Sequence, residues 1–204
     1  MRIDRAPGAL EHERRLKHEI ARAADMHPVA GRVCGSHCTL SCFSCGRGDC
    51  GCACSPDCVR ASSELSADAG KYPIEPAVLP LVFEMKRLEI FTPCWSCEGH
   101  PHPDGSLWKL PSVWFYCESL VHVRLLAAGV AEMKLAGRLA ARWNVSVTYS
   151  DPDNPDTTFA LEPVVAPDAP ATLMQMRADL GAIARALKSL MSKGALKLQG
   201  ALSR

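Results

Sequence analysis

Eight of the chain's eleven cysteines fall between residues 34 and 58, in the stretch CGSHCTLSCFSCGRGDCGCACSPDC. Only Leu40 and Phe43 are large hydrophobes there, so this segment cannot close over an apolar core, and something other than a core must organise it. Cys34, Cys38, Cys42 and Cys45 are offset by four, eight and eleven residues, which returns them to one face of a helix. Cys50, Cys52 and Cys54 alternate, and on an extended chain alternate side chains share a side. Cys58 closes the run. Both geometries converge thiolates, the donors that zinc, iron and copper(I) prefer.

Disulfides fit less well. Eleven is an odd count, and the N-terminal stretch MRIDRAPGALEHERRLKHEI is charged throughout and lacks the apolar run of a secretion signal. We therefore expect a cytosolic protein, where thiols stay reduced and clustered cysteines read as metal ligands. No segment offers about 18 uninterrupted apolar residues, so no membrane span is expected.

A second group, TPCWSCEGHPHPD, places Cys94, Cys97, His100 and His102 in a short knuckle that can complete a site begun at residue 34. Ten thiols in these two groups, taken four to an ion and with some bridging, suggest about two or three zinc ions. An iron–sulfur cluster or copper(I) is the alternative, since each also takes cysteine thiolates. Cys117 stands apart in the apolar run WFYCESL and is expected in the core.

An enzyme would need an open metal position and an acid or base. The knuckle offers Glu98 or Asp104, and Glu118 and His122, four apart, would share a face if both lay on one helix. A hydrogen-bonded couple at the core edge is the plainer reading of that pair. The His-x-Glu element that precedes the Pro-Cys-x-x-Cys of zinc deaminases is missing. There is also no glycine-rich phosphate loop, dinucleotide fingerprint or G-x-S-x-G elbow. DPDNPD lacks the glycine and terminal glutamate of a calcium loop and reads as a hairpin turn.

With 204 residues, 48% of them hydrophobic, the rest of the chain can bury a substantial core. We expect an α+β fold in which a small antiparallel sheet packs on a long central helix and a C-terminal helix, with an N-terminal helix and an irregular cysteine-rich module. Residues 1–30 form the amphipathic N-terminal part, 31–62 the metal module, 63–168 the α+β core with the knuckle at 94–102, and 169–204 the C-terminal helix. Within the core, LVFEMKRLEIF (81–91) reads as a strand. The run from Pro111 through AGRLAA reads as the buried central helix, with Ser112 as its N-cap. WNVSVTYS and TTFALEP read as a hairpin.

The charge of +1 is a near-cancellation: residues 61–170 hold eight Lys/Arg against fourteen Asp/Glu, and residues 171–204 six against one. Leu173, Met176, Leu180, Ile183, Leu187 and Leu190 recur at three- and four-residue steps, the seam of a coiled coil or of a helix packed on its own domain. Self-association through this helix is thus one expected partner mode, and another protein a second. Gly194 should weaken its end. The basic end suits nucleic acid or acidic lipid only weakly, because no aromatic-lined basic groove is evident. Function is expected to be non-enzymatic metal binding with the cluster as an interaction or regulatory module. A redox or metal sensor and a zinc hydrolase centred on residues 94–104 are the alternatives.

Overall fold

The computed structural model describes residues 9–26, 56–57, 61–148, 156–165 and 171–202. Helices α1 (Ala9–Ala24), α2 (Ala61–Glu64) and α3 (Leu79–Arg87) precede strands β1 (Thr92–Cys97), β2 (His100–Pro101), β3 (Leu107–Lys109) and β4 (Ser112–Tyr116). Helix α4 (Leu120–Leu135), strands β5 (Arg142–Thr148) and β6 (Thr158–Val164), and helix α5 (Leu173–Leu202) complete the order. The fold is α+β. All pairing is antiparallel: β1, β4, β6 and β5 lie side by side in that order, and β2 with β3 forms a separate small ribbon.

Alternation on β4 sets the inward face of the sheet. Val113 and Phe115 point with Trp143, Phe159 and Leu161 into the core, where all five are buried. Trp114 points the other way and packs against Trp95, with ring centroids 5.0 Å apart and the ring planes tilted by 50°. The helices cover the inward face: α4 packs on β5 and α3 on β1, while α1, α3 and α4 all pack on α5. Met176, Leu180, Ile183 and Leu187 of α5 are buried in this one core. Four of the six seam residues are therefore covered by the chain's own helices, as in the reading of a helix packed on its own domain.

Two expectations about elements are corrected. Residues 81–91 contain no strand: Leu79–Arg87 is helical, with proline in its first turn, the position where a missing N–H costs nothing. Leu81, Val82, Phe83 and Met85 are all buried. With apolar groups wanted on most sides, the helical period is blurred and an alternation can be read into it.

The central helix starts nine residues later than expected from Pro111. Ser112–Tyr116, rich in aromatics, is claimed by hydrogen bonding to β1 on one side and β6 on the other. Ser112 is thus a strand residue; Ser119 takes the N-cap position. The helix ends at Gly137, whose φ of 68° suits a left-handed cap and whose N–H donates to the Lys134 carbonyl at 3.0 Å.

The hairpin stands as read, as β5 and β6 paired from Arg142↔Val164 to Thr148↔Thr158. Helix α5 runs through Gly194 to Leu202 without a break. A Cβ on Gly194 would lie 2.9 Å from Leu125 Cδ2, so the glycine expected to weaken the helix instead lets α4 approach it.

Candidate metal centre

Two stretches of chain converge at the end of β1, the turn 97–100 and the segment around Glu75. Cys97, the last residue of the strand, is buried opposite Ser112 of β4. His100 opens β2. Glu75 lies in the turn that leads into α3, flanked by Pro73 and Pro76. One donor atom each from Glu75, Cys97 and His100 falls within 4.8 Å of the other two.

A web of contacts holds this arrangement. Glu75 accepts the Glu98 N–H at 2.7 Å, and its other oxygen lies 2.8 Å from His100 Nε2. Glu98 reciprocates by accepting the Ala77 N–H at 2.8 Å, so the two segments clasp each other. Arg177 of α5 ties both to the helix layer. Its guanidinium meets the Glu98 carboxylate at 2.8 Å and donates to the Glu98 and Gly99 carbonyls at 3.2 and 2.7 Å. Gly99 has φ +82°, and a Cβ there would lie 2.7–2.9 Å from Leu173 Cδ1, Pro111 Cδ and the Lys109 carbonyl. Only glycine fits.

Burial pushes the Cys97 thiol above its ordinary pKa, opposed by the Gly99 N–H that donates to sulfur. A bound cation would reverse that, because a coordinating thiol gives up its proton. Glutamate oxygen, thiolate sulfur and imidazole nitrogen are all zinc donors, and a tetrahedral ion with bonds of about 2.0–2.3 Å needs its ligands roughly 3.5 Å apart. All three donor types suit zinc, and an ion among them would push Glu75 and His100 apart from their 2.8 Å contact.

The remaining candidates are dispersed. Cys94 sits where the β1–β4 register shifts, between Pro93 and Trp95, and is exposed. His102 is exposed beyond the β2 strand, its ring 6.1 Å from that of Trp108. Neither joins the group formed by Glu75, Cys97 and His100. Asp104 binds the N–H and hydroxyl of Ser106, closing the β2–β3 turn and holding its carboxyl below the usual range.

Glu98 is committed to Arg177 and Ala77, which leaves it a positioning role. Glu118 precedes the N-cap of α4 with its side chain 93% exposed, 3.7 Å from Arg22. His122 is buried, and its Nε2 donates to the Glu19 carbonyl at 3.0 Å. The two therefore form no ligand or acid–base pair, because Glu118 lies outside the helix that would have aligned them.

Cys117 is half-buried against the core and contacts the Ser119 carbonyl. Cys34, Cys38, Cys42, Cys45, Cys50, Cys52, Cys54 and Cys58 lie outside the described residues.

Glu75 was not anticipated from sequence. It stands 22 residues before Cys97 with no spacing motif, and its one signal is a lone carboxylate pinned between two prolines. Comparison with known proteins finds no matching family model, no matching curated protein and no matching solved structure.

Proposed function

We propose that this chain is a non-enzymatic, multi-metal zinc protein whose α+β body holds one ion at Glu75, Cys97 and His100. On this reading the thiolates of residues 34–58 hold the others as an interaction or regulatory module in a reducing, cytosolic setting. The convergence of three unlike zinc donors within 4.8 Å, two from one knuckle and Glu75 from 22 residues before it, carries the proposal. Two details favour a structural ion over a catalytic one. Cys97 is only 3% exposed, and the nearest spare carboxylate, Glu98, is engaged by Arg177. The Ser112 hydroxyl, buried across the strand pair from Cys97 and without a hydrogen-bond partner, is a donor suited to a thiolate neighbour.

Elemental analysis and an absorption spectrum of anaerobically purified protein test this. About two or three zinc per chain are expected, with Cys97→Ser and His100→Ala each losing about one equivalent and Cys94→Ser in the knuckle losing none from this site. Full zinc content in both Cys97→Ser and His100→Ala would remove the site. Iron with visible absorption would instead favour the cluster-sensor reading.

A further inference from the structure

Helix α5 treats its cations unequally. Arg177 is neutralised by Glu98 at 2.8 Å and Lys197 by Glu132 at 2.7 Å. Between them, Arg185, Lys188 and Lys193 pair with no carboxylate among the described residues, and all three line one groove of about 510 Å³ between α3 and α5. Arg87 of α3 joins them. The groove's single carboxylate, Glu84, is held by Arg87 through Nε at 3.1 Å and Nη2 at 2.6 Å. Three positive charges are left in excess.

Like charges one turn apart on a helix repel. Arg185 and Lys188 stand in that relation, and Lys193 extends the row over about 12 Å of helix axis. Ala184 and Leu196 give the groove an apolar lining, and Ser189 and Ser192 line it as well. Cations in a concavity, with a hydroxyl beside them, are how proteins hold phosphoryl oxygens.

We propose that the α3–α5 groove binds a small, multiply phosphorylated molecule. A volume of about 510 Å³ lies within the range of small-ligand sites. Among the described residues no aromatic ring lines the groove, so these offer no platform on which the bases of a nucleic acid would stack. Recognition rests on the anionic groups.

The test is a backbone-amide NMR titration of the full-length, metal-loaded protein with sodium tripolyphosphate at about 50 mM salt, where screening is moderate. Shifts are expected to centre on residues 184–196 and Arg87. The Lys188→Gln/Lys193→Gln double variant and Arg185→Gln, tested separately, should each weaken binding, the double variant by at least about tenfold, because charge-assisted contacts are lost. Lys197→Gln, off the groove, should stay within about twofold.

Equal weakening by Lys197→Gln would reduce the effect to general charge. Shifts centred on residues 97–100 would show chelation of the bound ion and overturn the proposal, as would tighter binding of a single-stranded oligonucleotide than of tripolyphosphate.

Discussion

His122 shows what burial does to a group that can carry charge. Packed between α4 and α1, its imidazole is pushed below its ordinary pKa by burial, against the pull of the Glu19 carbonyl and carboxylate. The unfolded chain, with a value of about 6.5, therefore takes up the proton first. The stabilising contribution is complete above that pH and is lost as pH falls from there through the lower folded value. Urea midpoints should thus drop as pH falls below about 6.5. His122→Gln, which can still donate to Glu19, should flatten this segment of the profile; an unchanged slope would assign it to other groups.

Asp179 is the opposite case, a carboxylate buried because it is fully used. It accepts the Ala140 and Ala141 N–H groups at 2.9 and 2.8 Å and the Trp143 indole N–H at 3.0 Å. Asp179→Ala would strand two buried donors and one part-buried one, and chemical denaturation should register a loss of about 2–4 kcal/mol. A loss below about 0.5 kcal/mol would mean that water replaces the carboxylate. Neither role was readable in the sequence. Asp179 looks like any polar position of an amphipathic helix, and the partners of both residues lie dozens of positions away.

At the level of elements, the decisive unit is the turn from Cys97 to His100. Its shape depends on Gly99, so Gly99→Ala should both destabilise the fold by about 1–3 kcal/mol and lower zinc occupancy at the Cys97 site. Calorimetry and metal analysis on the same sample check this. Normal occupancy would show that the turn does not set the ligand geometry.

Helices α1 and α5 were legible because each shows a helical period, and the hairpin β5–β6 because its β-branched and aromatic runs flank a Pro/Asp/Asn turn sequence. Helix α3 was misread because its apolar residues are dense enough to blur the period, and strand β4, although it alternates, because its apolar run continues into α4 without a proline. For Val113–Phe115, the neighbouring strands β1 and β6 outweigh any local preference. Cys97 and His100 were visible as candidate donors. Their partner Glu75 was hidden, because tertiary folding and not spacing brings it there.

Across the whole molecule, α5 is the axis on which α1, α3 and α4 are assembled. Leu187 is completely buried, and Leu187→Ala should cost about 2–5 kcal/mol. Because its surroundings belong to one chain, the thermal midpoint should not depend on protein concentration. A rising midpoint with concentration would show that a second copy contributes to the same core.

Helix α5 also imposes an order in time. During synthesis α1, α3 and α4 leave the ribosome well before the segment that will cover them, and the Glu98–Gly99 turn emerges 78 residues ahead of the Arg177 that secures it. Until Leu202 is clear, Phe83, Leu126 and their neighbours have nowhere complete to bury. The nascent chain must carry an open apolar surface for several seconds at ordinary elongation rates. Its yield should accordingly respond to chaperone supply more than the stability of the finished protein would suggest.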